Sequence, residues 1–134
     1  MTVFVDTNVL IYAYGTDPRA ERARDLLAAG GWIAIQSLNE FADVARRKLR
    51  MEWPSVADAI GQLLVLCTLF EHTTGVAQAD AVRLAERYDL RIFDAMLLAI
   101  ALAAGCDEFL SEDLHDGLVI DGRLTVRNPF AAVA

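Results

Sequence analysis

Four acidic residues stand where charge is costly or where a strand gives way to a helix. Asp6 lies between the apolar runs Val3-Phe4-Val5 and Val9-Leu10-Ile11, and Asp94 directly precedes AMLLAIALAAG. Glu40 opens an amphipathic stretch, and Asp113 follows the short apolar run EFL within SEDLHDG. A carboxylate beside buried apolar residues is partly desolvated, which is unfavourable without a cation. Lys48 is the only lysine and sits in the basic run RRKLR, while Arg91 is the one arginine near Asp94. The alternative is a hard divalent cation: Mg²⁺ or Mn²⁺ suits carboxylates and water without histidine or thiolate. Such a site supports in-line displacement at phosphorus, with water attacking and the cation stabilising the leaving oxygen.

Each acid also has a plainer reading. Ser37-Leu38-Asn39-Glu40 matches a capping box, S-x-x-E. Asp6 and Asp94 suit helix caps, and Asp113 would favour a helix start through its dipole. Caps, however, do not require apolar runs beside them, and Asp6 and Asp94 both have one.

The elements that must position these acids follow from periodicity and punctuation. Thr2 to Val5 reads as a strand ending at Asp6, with a helix to about Tyr14. In GTDP, Asp17 caps a helix with Pro18 in its first position, ending near Ala29 before Gly30-Gly31. Trp32 to Ile35 is a second strand, and Ser37 begins a helix with Glu40 in its first turn and Arg46, Arg47, Lys48 and Arg50 toward its end. A helix over Ser55 to Leu66, a strand over Thr68 to His72, and a helix capped by Thr73 or Thr74 and ending near Tyr88 come next. FDAMLLAIALAAG is apolar nearly all round, which predicts a helix buried on several sides and ended by Gly105. EFL is a fourth strand, and LVIDGRLTV carries a hairpin signal at Asp121-Gly122 before Pro129. Alternating short strands and helices predict an α/β domain, three layers deep, around a mostly parallel sheet of four to five strands. In such sheets ligands bind beyond the carboxyl ends of the strands, where all four acids can converge.

Composition narrows the rest. A chain of 134 residues suits one domain able to bury its own core, and no linker or repeat divides it. The formal charge of -7 opposes broad, charge-driven coating of nucleic acid. The longest apolar run, Ala95 to Gly105, falls well short of the roughly 20 residues of a membrane helix, and a basic start with a signal-like run is missing, so the expected location is the cytoplasm. Cys67 and Cys106 lack metal-binding spacing and read as small buried hydrophobes. Asp116-Gly117 reads as a turn rather than a fifth acid, His115 as an exposed bystander, and His72 as a strand residue without a role.

The segments VDTNVLIYAY, SLNEFADV, FDAMLLAIA and LSEDLHDG, in that order, resemble the motifs of PIN domains, and the single-domain length resembles VapC-type toxin ribonucleases. The resemblance runs from Val3 to Phe130. It implies a Mg²⁺- or Mn²⁺-dependent endoribonuclease with Asp6, Glu40, Asp94 and Asp113 as its acidic quartet. Asp6 and Asp94 would be the main ligands, with Glu40 and Asp113 holding metal waters or a second ion. Thr7, Asn8 and Ser111 match polar positions that orient carboxylates or water. The resemblance further implies an antitoxin that inserts a segment into the active-site groove, and a homodimer formed through helices of the N-terminal third. Arg46, Arg47, Lys48 and Arg50 are the one dense basic cluster available for RNA, or else a helix end favouring cations.

Other classes fit less well. A receiver-like Mg²⁺-binding signalling module needs a lysine after a late strand, and nucleotide-binding glycine motifs do not occur. A PIN-fold protein that binds RNA or a partner without cutting would have no use for an intact quartet, and a nuclease acting on DNA or flap structures would use the same residues.

Overall fold

Val3–Val5 forms β1, and the chain leaves the sheet at Asp6 to begin α1 (Thr7–Ala13). There follow α2 (Ala20–Ala28), β2 (Trp32–Ala34), α3 (Ile35–Arg47), α4 (Trp53–Leu66), β3 (Thr68–Phe70), α5 (Gly75–Tyr88), α6 (Ile92–Ala103), β4 (Glu108–Leu110), β5 (Val119–Ile120) and β6 (Leu124–Arg127). This computed structural model describes residues 2–72 and 74–132. The strands form one sheet in the order β3-β2-β1-β4-β6-β5, parallel throughout except for the β5–β6 pair. The sheet thus has six strands rather than the four to five expected, because both arms of the LVIDGRLTV hairpin join it at one edge. Asp121 and Gly122, at φ 52 and 67, make the left-handed turn that a tight hairpin requires.

Alternation along three-residue strands divides the core in two. Phe4 and Phe109 point to the α5–α6 side, where their rings stack at 5.4 Å, while Val5 and Ile33 point to the side covered by α1 to α4. This is the three-layer α/β/α arrangement expected. Nearly every side chain of α6 from Ala95 to Leu102 is buried, as its unbroken apolar sequence requires. It ends in a Schellman turn: the Gly105 N–H donates to the Leu102 carbonyl and the Cys106 N–H to the Ala101 carbonyl, with Gly105 at φ 75. Cys67 and Cys106 are buried free thiols pushed up to about 11 by burial.

Three helix starts differ from expectation: α4 begins at Trp53 rather than Ser55, with Pro54 accommodated in its first turn, and the other two lie nearer the acids. Asp17 makes a turn of its own, its side chain accepting the Arg19 N–H at 2.8 Å and its carbonyl the Ala20 N–H at 2.9 Å, so α2 begins at Ala20 rather than Pro18. In α3 the helix begins at Ile35, two residues before Ser37, whose hydroxyl accepts the Ala34 N–H at 3.3 Å. Glu40 therefore lies in the second turn and closes no capping box with Ser37. Of the Thr73 or Thr74 cap, Thr73 lies outside the described residues, and Thr74 occupies the cap position without a side-chain bond to the helix.

The chain runs outward from β1 through β2 to β3, then returns to add β4 on β1's other side. The carboxyl ends of β1 and β4 thus flank the point where the strand order reverses, the place where open α/β sheets bind ligands. Because α6 must deliver the chain to the start of β4, it runs against the strands, and its first turn, with Asp94, lies at the same end. Among the described residues no helix is long and apolar enough to cross a membrane.

Gly31 permits the close approach of β2 to β1, since a Cβ there would lie 2.8 Å from Val5 Cγ2 and 3.2 Å from Val3 Cγ2. Gly31→Ala is expected to destabilise the protein by about 1–3 kcal/mol, read by urea unfolding. An unchanged midpoint would show that β1 can shift freely.

Candidate functional site

Asp6 is both cap and buried acid. Its Oδ1 accepts the Thr7 N–H at 2.7 Å, and its Oδ2 accepts the Ser111 hydroxyl at 2.7 Å and the Asn8 amide at 3.2 Å. Ser111, fully buried just past β4, also accepts the Asp113 N–H at 3.1 Å, which leaves its own proton for Asp6. The Asn8 amide reaches Asp113 Oδ2 at 3.2 Å, and its carbonyl accepts the Glu112 N–H at 3.3 Å. The first turn of α1 and the loop after β4 are thereby joined through the acids themselves. No helix follows β4 directly, so Asp113 starts none.

Glu40 arrives from α3 and is held on both oxygens: Thr7 donates its hydroxyl at 2.8 Å and Gln36 its amide at 3.1 Å. The same Gln36 amide donates to the Phe93 carbonyl at 3.0 Å, which fastens α3 to the start of α6 beside Asp94. Asp94 occupies the third position of α6, with Arg91 rather than itself at the cap, and no donor among the described residues reaches its half-buried carboxylate.

Desolvation raises Asp6 from 3.8 to about 6, despite the Ser111 and Thr7 donors that oppose it, and the charges of Asp113 and Asp94 add to the rise. Asp94 is raised chiefly by burial, and further by Asp113 and Glu40, with Arg91 acting the other way. The four acids thus share one end of the sheet and feel one another's charge. They do not form a closed cage: among the described residues, no three acids, histidines or thiols stand close enough to enclose an ion together.

The loop bearing Ser111 and Asp113 has a further fastening that sequence reasoning missed. Glu112 accepts the Tyr12 hydroxyl at 2.7 Å and pairs with Arg19 Nε at 2.8 Å, and the Arg19 guanidinium lies over the Tyr12 ring at 5.2 Å. Gln36 was missed as well, since an amide in a helix gives no sequence signal until its neighbours are known. Asp116-Gly117 forms the turn expected of it, with Gly117 at φ 91, while the Asp116 carboxylate accepts the Asn128 N–H at 3.0 Å, and His115 is exposed. His72 lies just beyond β3, against the edge of Phe70. In the basic cluster, Arg46 is committed to the Met51 carbonyl and the Trp53 face, and Arg47 to Asp43 at 2.8 Å. Lys48 and Arg50 make no ion pair among the described residues.

Residues 3–115 match the PIN domain family, and the chain belongs to it. A toxin-antitoxin complex from Klebsiella pneumoniae has a chain similar to this one at a TM-score of 0.71 and 20% identity, covering 96% of this chain and 98% of that one. The Mycobacterium tuberculosis toxin VapC20, described as cleaving the Sarcin-Ricin loop, is similar at a TM-score of 0.68 and 21% identity, covering 84% of this chain and 92% of its own. At these identities the likeness is one of fold. No curated protein matches the chain by sequence.

The Asp6 environment sets a pH dependence. Its folded-state pKa lies above the unfolded value of 3.8, so its contribution to stability is fully present below pH 4 and is lost as pH rises through about 6. The loss amounts to about 3 kcal/mol. Asp6→Asn is expected to unfold at higher urea than the parent at pH 7.5 and at similar urea at pH 4, without added metal. Parallel pH profiles for the two proteins would contradict the burial of an unneutralised charge.

Proposed function

We propose that the protein is a Mg²⁺- or Mn²⁺-dependent endoribonuclease, the toxin of a VapBC-type toxin-antitoxin pair, acting in the cytoplasm as a single PIN domain. The observation that carries this reading is the Asp6 carboxylate, buried at the β1–β4 switch without a basic side chain paired to it among the described residues and sharing its field with Asp94 and Asp113. An all-oxygen donor set with excess negative charge fits a hard divalent ion and suits neither zinc nor copper. Such an ion, when bound, supplies an activated water and stabilises the leaving oxygen of a phosphodiester.

The chain's own residues do the rest. Asp6 and Asp94 would hold the ion directly, and Glu40 and Asp113 would hold its waters or a second ion. Ser111 and Asn8 keep Asp6 and Asp113 in register, while Thr7 and Gln36 fix both oxygens of Glu40. The acids repel phosphate in the absence of the ion, so RNA and metal would bind together. With Arg46 and Arg47 already engaged, Lys48 and Arg50 are the members of the basic run best placed to meet RNA phosphates. The relatives' toxin-antitoxin context supports an antitoxin partner, whose arginine among the acids would block the site. A homodimer would cover apolar side chains that the fold leaves open, such as Val65, 85% exposed on α4.

The test is cleavage of a mixed RNA pool by purified protein with Mg²⁺ or Mn²⁺ and with EDTA. Metal-dependent cutting is expected, abolished in Asp94→Asn and in Asp6→Asn with the fold retained. Equal turnover in either variant would sink the assignment. Glu40→Gln should lower the rate about 10- to 100-fold with an unchanged melting temperature, since Glu40 caps no helix.

A further inference from the structure

Beside the acids, between α3 and α6, lies a groove of about 570 Å³ whose floor and walls include Ile35, Gln36, Asn39, Glu40, Phe93 and Met96. Two of its large apolar side chains are left open, Phe93 at 58% and Ile35 at 55% exposed. Neither is explained by the core, and Phe93 directly precedes Asp94. The groove and the acid cluster share a wall: Glu40 lines both, and Gln36 bridges Glu40 to the Phe93 carbonyl. Asn39 stands exposed on the rim, its carboxamide without a partner among the described residues.

We propose that this groove seats one nucleobase of the RNA substrate next to the scissile phosphate, with Phe93 as the stacking face and Asn39 reading the base edge. The inference rests on the ribonuclease reading and adds a specificity site to it. Its logic is electrostatic as well as geometric. Glu40 and Asp43 on the groove wall repel a phosphate, so the part of a nucleotide that enters is the uncharged base. A base offers what the lining asks for: a π-face for an exposed aromatic ring and a donor–acceptor edge for a carboxamide. Unstacked single-stranded bases beside a cleavage point are the natural occupants, which makes a loop or single strand the substrate class and a paired helix a poor one.

Two readouts test this. In the first, wild-type protein with Ca²⁺ in place of Mg²⁺, a hard cation that neutralises the acids without supporting cleavage, is titrated with single-stranded RNA carrying 2-aminopurine at successive positions. Stacking should quench the fluorescence at one position, Phe93→Ala should remove the quench, and Phe93→Tyr should keep it. This reading needs no cleavage, so it holds whatever the activity. In the second, wild-type cleavage is measured beside Phe93→Ala and Asn39→Ala. Phe93→Ala should lower kcat/KM about 10-fold with Mn²⁺ affinity and melting unchanged, and Asn39→Ala should relax the base preference next to the cut. Failure of the wild type to cut would tell against the ribonuclease reading. Wild-type cutting, with Phe93→Ala unaffected and no position quenched, would overturn the base seat alone. If the variants cut normally yet lose binding to a synthetic helical peptide bearing leucine and arginine, the groove docks a protein and the base assignment falls.

Discussion

The carboxylate of Asp6 is held where water scarcely reaches it, and much of the surrounding structure answers to that constraint. Three donors turn toward it, from Thr7, Asn8 and Ser111, yet burial still raises its pKa, so hydrogen bonding alone does not meet the cost. Replacing water around a charge by a few dipoles leaves a deficit that only positive charge removes, and among the described residues no basic side chain pairs with Asp6. The fold maintains this deficit through parallel pairing of β1 with β4, which sets Asp6 beside Ser111.

The strands are only two to four residues long, so they cannot hold the site rigid by themselves. Rigidity comes from side chains that cross between elements. Tyr12 and Arg19 pin Glu112 and with it the loop after β4, and Gln36 ties α3 to α6. Each of these links lies beside an acid, not in the core. The deep packing of α6 has a related effect: its buried length leaves Asp94 little freedom to withdraw from its neighbours.

The acidic balance of the chain also acquires a physical sense. A protein of net charge -7 meets a polyanion poorly by long-range attraction, so the proposed recognition of RNA would depend on local contacts made after encounter. Part of the basic run is already spent on internal partners, Arg46 over Trp53 and Arg47 on Asp43. Weak general affinity and local reading by shape go together, as the proposed ribonuclease activity would require.

Much was legible in the sequence because it is written in local pattern. Period and punctuation placed the strand before Asp6, the all-apolar helix ended by Gly105 and the hairpin at Asp121-Gly122; Asp6 and Asp94 stood out because charge beside apolar runs is costly, and Glu40 and Asp113 by their places after strands and within the PIN-like motifs. The sequence by itself determined the identities of those acids and the α/β class. Tertiary structure decided the rest. S-x-x-E at Ser37 describes a capping box equally well, and only the start of α3 at Ile35 frees Glu40 from it. The sixth strand depended on edge pairing, which is non-local. The roles of Gln36, Tyr12, Arg19 and Glu112 exist only across separations of up to a hundred residues, where a polar side chain carries no mark of its partner until the chain has folded.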